Sequence, residues 1–349
     1  MFNERRKKLK KNYIIPIFVP HLGCPNDCTF CNQKKISGQK KNITKQDVKK
    51  IIEYYLENFN ELDKKVEVAF FGGSFTGIQK EIQEELLSAA YEYIEAGKVD
   101  SIRISTRPDY INKDILKFLK LYKVETIELG VQSTNDFILN KCKRGHTFED
   151  VKKASKFIRK NKFKLGHQMM VGLPDSTQKD EIQTAKDLIK LRPKMVRIYP
   201  VLVIKDTKLE EEYINDEYQP NTLEQAIDTC SILLKMFEKK KIDVIRVGLQ
   251  STDEICNPEN ESSQVVAGPY HPAFRQLVES RICYEEFLKK IKSLNSKVRK
   301  IKVQVSGKNI NNFVGHKREN VRKIRDVYNV DVVVEENDKV KDFRIVEVS

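Results

Sequence analysis

Short apolar runs alternate with helical stretches along the first three-quarters of the chain. "YIIPIFVP" at 13–20 predicts a strand. "TKQDVKKIIEYYLENF" at 44–59 predicts a helix, because Val48, Ile51, Ile52 and Leu56 recur at helical spacing. "KVEVAFFGGSF" predicts a strand ending in glycines, and "EIQEELLSAAYEYIEAG" a helix with a glycine stop. "SIRIST", "TIELGVQS", "KLGHQMMVGLP", "MVRIYPVLVI" and "DVIRVGLQS" follow as strands, most of them separated by helices such as "TFEDVKKASKFIRKN". Such alternation predicts a parallel α/β fold with the strands in a closed or partly closed (β/α) barrel. Chemistry in such barrels gathers in the loops after the carboxyl ends of strands. The cysteines after the first strand, Gly72-Gly73-Ser74 after the second and Arg107 after the third all fall there.

After residue 295 the pattern changes. "VRKIKVQVSG" alternates like a strand, and "KNINNFVGHKRENVRKIRDVYN" is helical with a break at Gly315. "VDVVVEE" and "FRIVEVS" close the chain as strands around the turn "NDKVKD". The expected organisation is a barrel over 1–295, with a closing segment from about 250 to 295, and a small α+β unit over 296–349. Within the closing segment, Asn257 to Gly268 reads as a loop, followed by a run rich in Tyr, His and Arg.

Charge adds a partner to this picture. The chain has 349 residues and a formal net charge of +14, which suits a polyanion such as RNA. A Lys-loaded solvated surface is the plainer reading. The basic start "MFNERRKKLKKN" resembles the opening of a signal peptide, but the apolar stretch behind it is short and holds Pro16 and Pro20. No apolar run approaches the roughly 18 residues of a membrane span. Seven cysteines, an odd and unevenly spread number, fit a reducing compartment, so the expectation is a cytoplasmic protein without a membrane partner.

Three of those cysteines, Cys24, Cys28 and Cys31, stand within eight positions in "CPNDCTFC". A closed zinc site wants four ligands and a disulfide two. Three thiolates suit a four-iron cluster that keeps one iron open for another ligand. Zinc with His21 or a distant residue as fourth ligand is the other reading.

The spacing C-x3-C-x2-C, with Phe30 just before the third cysteine, resembles the signature of the radical S-adenosylmethionine (SAM) superfamily. Membership implies a [4Fe–4S] cluster on Cys24, Cys28 and Cys31, and SAM bound at the open iron. It also implies a partial (β/α) barrel of the TIM type and reductive cleavage to a 5′-deoxyadenosyl radical. "FFGGSFTG" resembles the motif whose backbone receives the SAM amino group, at Gly72 and Gly73. Ser74 stands where many members carry Glu or Thr. "ISTRPDYI", "IELGVQSTNDFILNKCKRGHTFEDV", "GHQMMVGLPDST" and "RIYPVLVIKDT" together resemble the radical SAM domain of the Elongator catalytic subunit, Elongator protein 3, over about residues 13–285. That resemblance implies SAM contacts by Ser105, Arg107 and Gln132, with backbone of the "MMVGLP" and "IYPVLV" segments at the adenine. Arg107 as a planar donor fork suits a carboxylate, and an ion pair with Asp109 is its structural alternative.

Other residues are placed by location. Tyr199, Lys205 and Arg246 at strand ends are candidate substrate contacts, and Lys143 and Arg144 candidate phosphate contacts. Cys142, Tyr199 and Lys205 are the catalytic candidates, with a buried bystander as the alternative for Cys142. His146 and His167 read as structural rather than acid–base histidines. Cys230 reads as core, and Cys256 and Cys283 complete no second cluster motif.

Elongator catalytic subunits continue into an acetyltransferase domain. Here a KH-like unit stands in its place, with "GHKR" at the position of the GxxG loop that grips nucleic-acid backbone. Arg318 replaces the second glycine. Gly315, Lys317, Arg318 and Arg322 are the candidate RNA contacts. A radical SAM enzyme acting on a tRNA or rRNA base, fed by a flavodoxin- or ferredoxin-like donor, is the first expectation. A radical SAM enzyme on a small anionic metabolite, with the tail a packing or dimer module, is the second. A non-catalytic iron–sulfur RNA-binding regulator is the third.

Overall fold

A computed structural model describes residues 11–19, 28–32, 43–59, 64–252, 255–294 and 298–349. Seven parallel strands form one sheet in the order of the chain. They are β1 (Lys11–Val19), β2 (Lys64–Gly72), β3 (Ser101–Thr106), β4 (Val124–Gln132), β5 (Lys164–Val171), β6 (Met195–Pro200) and β8 (Asp243–Val247). β1 and β8 are the two edges, so of the closed and partly closed barrels that the alternation allows the sheet is the partial one. Between the strands run α1 (Lys45–Glu57), α2 (Lys80–Glu95), α3 (Lys113–Leu121), α4 (Asp136–Lys141), α5 (Phe148–Lys160) and α6 (Gln178–Lys190). Next come α7 (Lys208–Ile214) and α8 (Leu223–Lys239), and α9 (Phe274–Lys292) follows β8.

The helices start where the sequence offers a cap. Thr44, Thr147, Thr177 and Thr222 each accept from the backbone N–H three residues on, and Asp47, Asp150, Asp180 and Gln225 reach back to the cap residue's own N–H. Two orphan donors are satisfied at each of these starts. The sheet face toward the helices is apolar. Val66 and Val68, Ile102 and Ile104, Ile127 and Leu129, and Val196 and Ile198 lie in the main core. Strand period two then sends Glu67, Arg103, Glu128 and Arg197 to the other, concave face.

Two sequence expectations change here. "MVRIYPVLVI" is not one strand: β6 ends at Pro200, and β7 (Val203–Ile204) leaves the sheet. Nor is Asn257–Gly268 all loop, because β9 (Val265–Ala267) pairs antiparallel with β7. A ladder this short carries no periodicity to read.

The C-terminal unit contains β10 (Lys300–Val305), α10 (Ile310–Val314), α11 (Glu319–Tyr328), β11 (Asp331–Glu336) and β12 (Phe343–Val348). β10 is central, parallel to β11 and antiparallel to β12. Its core takes Phe287 and Ile291 from α9 together with Ile301, Val303, Val305, Phe313 and Ile324. Phe287, Phe313 and Phe343 stack as a trio with ring centroids 4.9–5.7 Å apart. The helix that closes the barrel is therefore also a wall of the tail. The boundary expected at 295 falls outside the described residues.

Candidate active site

Residues that follow β4, β5 and β6 converge on the cysteine turn. Cys24 lies outside the described residues; Cys28 is buried and Cys31 half-buried, joined by a turn in which Cys31 N donates to Cys28 O at 3.0 Å. This turn is fixed from two sides. Thr29 N donates to Cys142 O at 3.2 Å, and Leu209 N at the start of α7 donates to Thr29 O at 2.8 Å. Asn32 Nδ2 reaches the carbonyls of Lys205 and Asp206 at 3.3 and 3.4 Å. Cys28 and Phe30 belong to a second apolar core with Ile138, Cys142, Leu173, Val201, Val203, Leu209 and Tyr218. A thiol pair at the edge of such a core is screened from water on one side.

Arg144 brings positive charge to it. Its Nη2 donates to Gly130 O at 2.8 Å, and its Nη1 lies 3.5 Å from Cys28 Sγ. Lys143, by contrast, is exposed, so the pair expected on one phosphate is split.

Gly72 ends β2 at φ 110°, and a Cβ there would collide with the carbonyl oxygen of Val19. Only glycine fits that close crossing. Gly73 follows at the loop surface. Ser74 is buried and already engaged: its Oγ lies 2.8 Å from Thr106 Oγ1 and accepts from Arg107 N at 3.2 Å. Thr76 Oγ1 meets the same threonine at 2.6 Å. Ser74, Thr76 and Thr106 thus lock the second loop to the third.

Arg107 is buried with its fork on Asp109, Nε to Oδ1 at 3.0 Å and Nη2 to Oδ2 at 2.9 Å. This is the ion pair weighed as its structural alternative. Ser105 accepts from Gln168 Nε2 at 3.2 Å, and Gln168 also donates to Glu128 at 3.0 Å. Gln132 ends β4 at φ 70°, and its buried Oε1 has no hydrogen-bond partner. A strained residue with an orphaned acceptor is a place where a ligand donor is accommodated.

The titratable candidates divide. Burial pushes the Cys142 thiol up to about 12, which leaves it an inert neutral group. Burial holds His146 down to about 3, aided by the charges of Arg144 and Arg107, and its Nε2 sits 3.2 Å from Val131 O. Burial alone takes His167 to about 3, with Nε2 2.9 Å from Ser155 Oγ. Both imidazoles are neutral at physiological pH. Tyr199 is half-buried at the end of β6 with its phenol pushed up by burial. Lys205 anchors Asn32 through its carbonyl, and its N–H donates to Gln264 O at 2.9 Å.

Sequence reasoning missed the belt below this level. Arg103 donates to Glu67 Oε2 through Nε and Nη2 at 2.8 and 2.5 Å, and to Glu128 Oε1 at 2.6 Å. Arg197 donates to the same Glu128 at 2.6 and 3.0 Å. Charged residues alternating with apolar ones inside "KVEVAF", "SIRIST" and "MVRIYP" were the available signal.

In the tail, Gly315 has φ 78°, and Lys317 and Arg318 are left-handed at φ 48° and 61°. A Cβ at Gly315 would crowd Asn320 N at 3.0 Å. Lys317, Arg318 and Arg322 are exposed. The His316 ring packs edge-on to His271 of the closing segment, centroids 5.8 Å apart.

The thiols, the adjacent guanidinium, the glycine crossing and the orphaned acceptor fit a thiolate-bound cluster with an amino-acid-like ligand beside it. Comparison with known proteins agrees. The family model of the radical SAM superfamily matches residues 18–188, and that of the Radical_SAM C-terminal domain matches 193–283. A tRNA uridine(34) acetyltransferase of Methanocaldococcus jannaschii is 32% identical over 205 residues, 53% of this chain but 38% of that relative. An uncharacterized protein of the same organism is 36% identical over 242 residues, 65% of this chain and 73% of its own length. Among solved structures, the archaeal Elp3 of Methanocaldococcus infernus superposes with a TM-score of 0.59 at 25% identity, covering 80% of this chain and 63% of that one. The chain thus belongs to the radical SAM superfamily of enzymes, whose members bind a [4Fe–4S] cluster and SAM, and is similar to Elp3 over part of that protein's length.

Proposed function

We propose that this enzyme cleaves SAM reductively at a [4Fe–4S] cluster and uses the resulting 5′-deoxyadenosyl radical to modify an RNA base. The observation that carries the reading is the Cys28–Cys31 turn with Arg144 against Cys28, together with the glycine crossing at Gly72 and the orphaned Gln132 Oε1 at the carboxyl ends of neighbouring strands. Cys24, Cys28 and Cys31 would hold the cluster, which supplies the electron when bound. Phe30 and the apolar core around it keep water from the thiolate side. Backbone at Gly72 and Gly73 can approach a SAM amino group, and Gln132 Oε1 offers an acceptor. Ser74 and Ser105 would act as supports, because their hydroxyls already serve Thr106, Arg107 and Gln168. Arg107 would meet a SAM carboxylate only by sharing its fork with Asp109. The half-buried Tyr199 and the exposed Lys143 remain the substrate-side candidates, and Cys142 is excluded from nucleophilic work by its burial.

RNA as substrate is supported by three things: a relative named for tRNA uridine(34), the net charge of +14, and the exposed cations Lys317, Arg318 and Arg322 of the KH-like unit over 296–349. Arg318, at the position of the second glycine of a GxxG loop, adopts the left-handed conformation that glycine takes most readily. Cytoplasmic residence and a flavodoxin- or ferredoxin-like donor follow from the same reading. The described helices include none long and apolar enough to cross a membrane. One observation favours the small-metabolite reading: the tail shares Phe287 and Ile291 with α9, as a packing module would.

Two measurements on the full chain test this. Anaerobically reconstituted wild type should yield 5′-deoxyadenosine from SAM, and Cys28→Ala should not. Replacing Lys317, Arg318 and Arg322 together by Ala should weaken RNA binding and flatten its salt dependence. A colourless protein holding zinc defeats the radical reading, and unchanged RNA affinity defeats the tail's role.

A further inference from the structure

The belt on the concave face of the sheet is not electrically balanced. Glu67 and Glu128 are both buried, and between them they saturate Arg103 and Arg197 through five charge-assisted contacts of 2.5–3.0 Å. Thr126 Oγ1 and Gln168 Nε2 take remaining carboxylate positions at 3.0 Å each. A third guanidinium stands next in line. Arg246 is the Cα partner of Arg197 across the β6–β8 ladder, and its outer neighbours Val244 and Val247 lie in the helix-side core. A register shift between Val196 and Arg197 keeps Arg246 on the concave side with Arg197.

Arg246 is half-buried, yet the group it touches is neutral: its Nη2 donates to Gln250 Oε1 at 3.2 Å. Burial and the like charges of Arg197 and Arg275 pull its pKa below the ordinary arginine value, while Tyr199 and Glu128 act the other way. Arg275 is itself paired with Glu279. Among the described residues of this face, three guanidiniums stand against two carboxylates, and Arg246 is the one with no ion pair. A desolvated charge of this kind is costly unless an anion meets it.

We infer that Arg246 is the anchor for an oxyanion carried by the substrate, a phosphate or a carboxylate, at the β8 edge of the concave face. Its planar fork suits both groups, and β8 is the last strand of the sheet. Tyr199, close enough to exchange charge effects with Arg246, stands beside the anchored group. The inference rests on the reading of this barrel as a catalytic one, and it narrows the substrate to an anion held by its charged end. If RNA is the substrate, the oxyanion is a phosphate of the target nucleotide.

Calorimetric titration of the reconstituted full-length enzyme with uridine 5′-monophosphate, uridine and succinate tests it. Wild type should bind the monophosphate about tenfold or more tightly than uridine, the scale of a charge-assisted hydrogen bond. Arg246→Gln should erase that preference, and Arg246→Lys should keep part of it. Melting temperature and iron content matching wild type show that the variants fold. Arg246-dependent binding of succinate, without preference for the monophosphate, also supports the anchor but assigns it to a carboxylate metabolite and counts against the RNA reading. Equal binding by wild type and Arg246→Gln overturns the anchor whatever the RNA measurements give, as does binding of neither anion.

Discussion

Arg144 Nη1 lies 3.5 Å from Cys28 Sγ, across 116 residues of sequence. The same guanidinium holds Gly130 O at 2.8 Å, so its position is set by the end of β4. The contact places a fixed positive charge against the sulfur. Arg144→Gln is expected to lower iron and sulfide bound per chain on anaerobic reconstitution and to shift the cluster's midpoint potential downward. Arg144→Lys should keep part of both. Elemental analysis and a spectroscopic redox titration check this, and a potential unchanged in Arg144→Gln would show that the charge does not reach the thiolate.

Glu128 is a second point of leverage. Burial pushes its carboxyl up, but Arg197 and Arg103 outweigh burial and hold it below the ordinary 4.5. Its contribution to stability is therefore complete above that value and is lost as pH falls through the depressed folded value. Glu128→Gln leaves two buried guanidiniums short of charge and should cost about 3–5 kcal/mol in urea unfolding at neutral pH. The difference from wild type should shrink in acid.

Glu181 has the opposite sign. Burial pushes its pKa up to about 7, although it accepts from Gly172 N at 2.6 Å. The unfolded chain releases this proton near 4.5 and the folded chain holds it until about 7, so stability falls as pH rises through that window. Glu181→Gln retains the acceptor and removes the titration. Urea midpoints should decline from pH 5 to pH 7 in wild type more than in the variant. Parallel declines would place the proton elsewhere.

Asn320 joins the tail to the barrel. Its Nδ2 faces Ser280 O and Oγ on α9 and the carbonyls of Asn312 and Phe313, at 2.9–3.3 Å. Asn320→Ala leaves these buried acceptors short of a donor, at about 1–3 kcal/mol. Limited proteolysis should cut the tail of the variant faster, while the barrel's fragments stay the same size. Equal cutting rates would mean that the shared Phe287 cluster suffices.

What the sequence determined is local in origin. Alternation in "SIRIST" and "TIELGVQS" and the Thr-x-x-Asp starts specify strands and helices, because period and capping involve residues only a few positions apart. The cysteine spacing and Gly72-Gly73 likewise carried their chemistry in short segments. Tertiary structure decided which charges meet. Glu67, Arg103, Glu128 and Arg197 each look like the solvent side of an amphipathic strand, and strand order with register turns them into a closed buried network. The same register sets Arg246 beside Arg197, with no ion pair of its own among the described residues. Arg144 reads as a surface cation in "KCKRGH" until the loop after α4 folds it against Cys28. Periodicity reports which face a residue takes. The partner across the sheet depends on strand neighbours dozens of residues away, and only the folded chain brings them within hydrogen-bonding distance.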